Sequence, residues 1–342
     1  MDISELKHVI VGDPKNGSFV LILQDGAVIT AEDKAMLQAL YSRSPASVLD
    51  HLEKLAKSGS GKFMGQFYVG YGHKSIGDCG DATIFIENVS MLVAKAVQDT
   101  MLYNGQEVST RYLDFSNQPF VNPLLLSDEK NPQTELRRLY LESRESIKES
   151  LKMRYPLQEG ENESVYDKAI NARSFDILRS VLPAGAQTNL SWTTNLRQFA
   201  DRLEYLRVHP LPEVVQVAEM LEVALKQMYP NSFNHKRYGE SEAYRKAYME
   251  EGYYFDPTQG ISEKVQLVHN GLDERMLAGQ MEWYTRRPPK TELPKHLAES
   301  GTLQYSFGLD FGSYRDIARQ RAVVQRMPLL TMKHGFHSWY RE

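Results

Sequence analysis

The sequence predicts an α+β fold, and three observations carry that prediction. Short apolar, β-branched runs that read as strands are confined to residues 18–30 and 82–86 of the first half. The stretch 134–228 is instead dominated by long helical patterns, with apolar residues recurring every three to four positions. The 342 residues suit two domains, or one large one, at roughly 150 residues each.

The elements follow in order. Residues 18–30 read as two short strands around Asp25-Gly26, a hairpin signal. Residues 31–43 read as a helix stopped at Ser44-Pro45, because proline disfavours helical geometry before it. Residues 47–57 form a second helix, and Ser58 to Lys62 a loop. The run 82–86 is a strand, and 88–101, apolar on most faces, a buried helix. Residues 118–132 hold three prolines and read as a connection. Helices are expected over 134–154, 166–181, 193–207 and 212–228, with an acidic loop at 155–165. Pro230, Asn231, Asn234 and Gly239 mark a boundary, dividing the chain into 1–235 and 236–342. Beyond it, weaker helical patterns cover 241–250, 260–270 and 274–285. A strand is expected over 303–309 and a helix over 313–327.

Composition narrows the function. Apolar residues make up 42% and charged residues 25%, which excludes a disordered or collagen-like chain. Lys plus Arg is 40 and Asp plus Glu 44, a net charge of −4, so bulk electrostatic binding of nucleic acid is not expected. Cys79 stands alone, which rules out an intrachain disulfide and fits a reducing, cytoplasmic setting. No stretch has the ~20 apolar residues of a membrane span, and the acidic N-terminus does not read as a signal peptide. Gly59 to Lys62 is not a phosphate-binding P-loop, since Ala56 and Phe63 occupy its glycine and hydroxyl positions. The nine histidines are scattered and indicate no metal site.

Three stretches are able to carry chemistry. In Tyr103 to Tyr112, an extended backbone would point Glu107, Ser109 and Arg111 to one side, since side chains alternate with period two. An acceptor, a hydroxyl and a guanidinium would then converge, and Arg with Ser suits a phosphate. A helical backbone would instead make Glu107 and Arg111 an i,i+4 surface pair. In Tyr71 to Gly80, three glycines allow close backbone approach, and His73 with Ser75 suits a polar cofactor; the plainer reading of His73 is structural. The third stretch holds Arg179, Pro183, Asn195, Arg197 and Arg207, where Arg197 also reads as a surface partner of Asp201.

In this order the three stretches resemble the flavin-dependent thymidylate synthase (ThyX) family over roughly residues 40–230. Gly72-His73-Lys74-Ser75 is similar to its Gly-His-Glu-Ser motif. Glu107, Ser109, Arg111 and Tyr112 match Glu-x-Ser-x-Arg-Tyr, and Arg179, Leu182-Pro183, then Trp192-Thr193-x-Asn195-x-Arg197 match its later pattern. The resemblance implies reductive methylation of dUMP to dTMP, with FAD as cofactor and NADPH and methylenetetrahydrofolate as co-substrates. It implies that Arg207 activates the base, and that Ser109, Arg111 and Arg179 hold the phosphate while Glu107 orients the nucleotide. His73, Ser75, Asn195 and Arg197 would hold FAD. The family's Arg-His-Arg is missing, for Gln98-Asp99-Thr100-Met101 stands there. Residues 309–321 resemble a second copy of the segment leading to that signature, with Arg319-Gln320-Arg321 in its place. The expected architecture is therefore a flavin-dependent thymidylate synthase-like fold with a partial, diverged second copy, the first copy keeping nucleotide residues and the second flavin residues. Family active sites form where subunits meet, which implies a homo-oligomer. Two alternatives stay open: a methylase or hydroxymethylase of another uracil nucleotide, and an inactive nucleotide-binding relative.

Overall fold

A computed structural model describes residues 6–24, 28–110, 115–254 and 264–330. The chain divides into two compact units, Met1–Phe255 with Phe311–Met327, and Asp256–Asp310 with Pro328–Glu342. The dividing point therefore differs from the expected residue 235. The helix Gly239–Ala247 falls within the first unit, and the chain re-enters that unit at Phe311.

The first unit is built on four antiparallel strands in chain order: β1 (His8–Gly12), β2 (Phe19–Leu23), β3 (Asp81–Ser90) and β4 (Gln187–Asn195). The early hairpin is thus β1 with β2. The turn expected at Asp25-Gly26 lies outside the described residues, and Val28 to Thr30 form no strand. Thr30 instead caps α1 (Ala31–Tyr41) in a reciprocal pair with Asp33. Ser47 and Asp50 do the same for α2 (Val48–Ser58).

The expected loop after α2 winds into helical turns, α3 (Gly61–Phe63) and a π-helical stretch, Met64–Gly70. Strand β3 runs on to Ser90, so the first residues of the expected 88–101 helix are strand. A bulge between Ile86 and Val89 puts Asn88 at φ 57°, a left-handed geometry that asparagine tolerates. Ser90 then caps α4 (Met91–Gln98), and its own N–H and hydroxyl donate to the half-buried Glu213.

Helices α5 (Pro132–Arg154) and α6 (Glu163–Leu178) follow, then a 3-10 turn, Arg179–Val181. The sequence reading misses β4. Its residues alternate half-buried and buried along the strand, with Thr188, Leu190, Trp192 and Thr194 turned inward. Thr193 to Asn195 end that strand, and Asn195 caps α7 (Leu196–Leu206). Helix α8 (Pro212–Met228) spans the expected residues and packs on β1 and β2. The main core joins Ile22, Ile84, Ile86, Trp192, Phe199 and Leu221. A smaller cluster of Met91, Phe115, Tyr140, Phe175 and Leu178 lies under α5 and α6. Next come α9 (Gly239–Ala247) and a π-helical turn, Tyr248–Tyr253, before the chain leaves the unit.

In the second unit, β5 (Gln266–Asn270) replaces part of the helix expected over 260–270, and residues 260–263 lie outside the described residues. Helix α10 (Glu274–Thr285) is as expected, and β6 (Leu303–Ser306) pairs antiparallel with β5. Back in the first unit, α11 (Phe311–Ile317) is shorter than the expected helix and ends before Arg319.

Candidate functional site

The segment after α4 runs extended along the free edge of β4. Bridges pair Asn104 with Thr193 and Glu107 with Leu190. The Thr193 N–H donates to the Asn104 carbonyl at 2.7 Å, and the Val108 N–H to the Asn189 carbonyl at 2.9 Å. Gly105 is required there, since a Cβ would stand 1.9 Å from the Ser191 carbonyl oxygen. Over Asn104 to Val108 the backbone is therefore extended, as the first of the two readings has it. Arg111 lies outside the described residues.

Glu107 and Ser109 line a cavity of about 550 Å³, within the usual range of ~300–1,000 Å³ for small-molecule sites. Its other walls come from Arg179 and from the α11 segment, Gly312 to Arg321. Four guanidinium groups (Arg179, Arg315, Arg319, Arg321) face two carboxylates (Glu107, Asp316), so the lining favours an anion.

The charges are held in pairs. The Glu107 side chain, 12% exposed, accepts from Gln98 at 2.9 Å and from Arg315, with the Thr188 hydroxyl at 3.5 Å. Arg179 Nη2 meets Asp316 Oδ2 at 2.5 Å, and Nη1 faces Asp176 Oδ1 at 3.5 Å. Arg321 donates to the Tyr103 carbonyl. Among the described residues, the Arg319 guanidinium has no hydrogen-bond or ion-pair partner. Because α11 ends at Ile317, Arg319 and Arg321 sit in turns, free of the opposed directions that a helix would impose on residues two apart.

The other expected cofactor residues gather elsewhere in the unit, and none lines this cavity. His73 heads the 3-10 turn Lys74–Cys79, and its ring stacks near Phe67 and Tyr71 with centroids 6.4 and 6.0 Å apart. Ser75 is exposed. Arg197 binds Asp78 at 2.9 Å and Asp201 at 3.4 Å, and Asp78 holds its guanidinium more firmly charged. Lys74 shares Asp201 at 2.6 Å. The Asn195 side chain accepts from the Gln198 N–H. Burial, then Asp78 and Asp81, push the Cys79 thiol up, which disfavours a reactive thiolate.

Arg207 stands apart from both groups. It faces Glu222 at 3.5 Å and Glu242 at 3.7 Å, and burial lowers its pKa. Asp99, which stands where the family's arginines are expected, is turned to Lys95 at 3.0 Å and to the Tyr253 hydroxyl. Sequence reasoning misses Gln98 and Asp316 as parts of the cavity, and takes Arg315 only as one of a basic run. Arg315 lies 208 residues from the carboxylate it holds, so no local spacing signals the pair.

Among the described residues, no group of three or more His, Cys, Asp or Glu side chains is placed to hold a metal, and no helix is long and apolar enough to cross a membrane.

Comparison with known proteins places these features. A UPF0159 protein of Chlamydia pneumoniae is 24% identical over 320 residues, covering 78% of this chain. One from Chlamydia muridarum is 25% identical over 319 residues, also 78% of this chain. The chain spans 60% of the length of each of these relatives. A solved structure, a UMP/dUMP methylase PolB from Streptomyces cacaoi bound with 5-Br dUMP, is 16% identical with a TM-score of 0.42, and covers 64% of this chain and 94% of that one. The family model described as thymidylate synthase complementing protein matches residues 28–231, a span that holds the whole of β3, β4, the edge segment and Arg179. By that match the chain belongs to the thymidylate synthase complementing protein family.

Proposed function

We propose that the chain binds a uracil nucleotide in the cavity between the 103–110 segment and α11, and catalyses reductive methylation of dUMP to dTMP. The observation that carries this reading is the meeting of Glu107, Ser109 and Arg179 with Arg315, Arg319 and Arg321 around one nucleotide-sized space. A phosphate there would meet guanidinium groups and a hydroxyl, and the Glu107 side chain would accept from a base or sugar N–H or O–H. Arg111 joins this set by its place in the motif. Arg207 is kept as the residue that polarises the base, a role that needs it to exchange Glu222 and Glu242 for substrate.

The chain's residues fit an anionic dinucleotide cofactor of the FAD type. Arg319, without a side-chain partner among the described residues, suits its phosphates, and the stacked faces of Tyr71 and His73 suit a planar ring. His73, Ser75, Asn195, Arg197, Arg319 and Arg321 would hold it. When bound, FAD supplies the hydride that NADPH provides, and methylenetetrahydrofolate supplies the carbon. The chain's own part is to position and polarise, which needs no enzyme nucleophile and leaves Cys79 idle. The partial second copy in 236–342 belongs to this reading, as does a homo-oligomer with shared sites.

The visible absorption spectrum of the purified protein, with and without added FAD and dUMP, tests it. A bound-flavin spectrum that shifts on adding dUMP is expected. One observation favours a second reading, a nucleotide-binding relative without flavin: Gln98 to Met101 carry no cation, and Asp99 is already neutralised by Lys95. A colourless protein at saturating FAD that still binds dUMP would select it. Product analysis across dUMP, UMP and dCMP separates methylation of another pyrimidine nucleotide.

A further inference from the structure

Arg179, on which the proposed function places the nucleotide phosphate, is already occupied by carboxylates. Asp316 meets Nη2 at 2.5 Å, Asp176 faces Nη1 at 3.5 Å, and Nε is buried with no partner among the described residues. A guanidinium recognises phosphate by offering two N–H groups along one edge. With both terminal nitrogens facing acids, Arg179 meets an arriving phosphate with its N–H groups already engaged by carboxylates. Asp176 lies three residues before Arg179, at the end of α6. Asp316 comes from α11, lines the cavity, and has a side chain 38% exposed. It is therefore the acid that stands on the ligand's side.

The packing of α11 holds that acid in place. Gly312 is buried against the Arg179 turn, where a Cβ would come 2.6 Å from the Arg179 carbonyl oxygen. Phe311 packs on the cluster beneath α5 and α6. Meanwhile Arg315 is engaged by Glu107, and Arg319, three residues beyond Asp316, has no partner among the described residues.

We propose that Asp316 is an internal anion that competes with the substrate phosphate for Arg179, and so sets the charge a ligand must carry. A phosphomonoester with a charge of about −1.5 to −2 at neutral pH displaces a carboxylate of single charge. An uncharged nucleoside does not. The displaced carboxylate is then free to turn to Arg319. This inference rests on the reading that Arg179 binds the nucleotide phosphate.

The test is equilibrium binding of dUMP and of deoxyuridine to the full chain and its variants. Asp316→Asn is expected to tighten dUMP binding about fivefold, the scale of one half-exposed ion pair, and to leave deoxyuridine unchanged. Asp316→Ser repeats the measurement with a smaller side chain, should the amide disturb folding. Unchanged or weaker dUMP binding in the folded variants would overturn the proposal. Arg179→Gln separates the two layers of the argument. It is expected to weaken dUMP and to abolish the gain from Asp316→Asn. If Arg179→Gln leaves dUMP affinity intact, the phosphate reading fails. If it weakens dUMP while Asp316→Asn gains nothing, the competition alone fails.

Discussion

Glu107 shows how one residue's charge is settled far from its own neighbourhood. Its carboxylate is largely buried, and Arg315 is the cation that meets it among the described residues. Removing one partner of such a pair leaves an uncompensated charge, which costs more than the pair contributes. Arg315→Met is therefore expected to lower stability by about 2–3 kcal/mol, read as a fall in the urea midpoint with an unchanged slope. Reversing Arg319 and Arg321 together to glutamate should abolish flavin retention with little change in melting temperature, since both residues are exposed. Unchanged flavin affinity would remove the argument that the second half supplies cofactor residues. Glu107 and Ser109 were legible in the sequence because period-two alternation is a local property of an extended chain. The Arg315 and Asp316 contacts were not, because chain reversals over 137 and 208 residues leave no mark in local spacing.

At the scale of elements, α5 and α8 follow from apolar spacing and from a proline in the first turn, with Asn131 capping α5 as well. Strand β4 escaped because its alternation is written in Thr, Ser and Asn as much as in Leu and Trp, and because the helix pattern of α7 begins directly at its end. The docking of α11 depends on the bare Cα of Gly312. Gly312→Ala should force the Arg179 turn and α11 apart, with weaker dUMP binding and a lower melting temperature. An unaltered dUMP affinity would show that α11 does not shape the cavity. The turn joining α7 to α8 carries a pH signature. Burial holds His209 down to about 4, aided by Arg202 and Lys95 and opposed by Asp99, against 6.5 for the free side chain. The unfolded chain thus takes up this proton first as pH falls. Stability should decline between pH 6.5 and about 4, by up to about 1.4 kcal/mol per unit from this one group. His209→Gln should flatten the melting temperature across that window.

At the scale of the whole molecule, the residues assigned to ligands form separate groups within the first unit: the cavity of Glu107 and Arg179, and the His73, Arg197 and Asp78 group. If sites are completed between copies, Arg179→Ala and Arg197→Ala chains, each inactive alone, should regain thymidylate formation when mixed under subunit exchange. Absence of recovery, with exchange verified by labelled chains, would mean that sites are not shared.

The return of the chain at Phe311 also has a consequence for biosynthesis. Translation delivers Glu107 and Arg179 long before their partners Arg315 and Asp316, with the whole of 256–310 emerging in between. For that interval a nascent chain can assemble its four strands and main core, yet Glu107 lacks the cation that meets it in the finished fold. The cavity is thus among the last features to form, and a ribosome stalled before residue 311 would hold a folded sheet with its anion pocket still missing one wall.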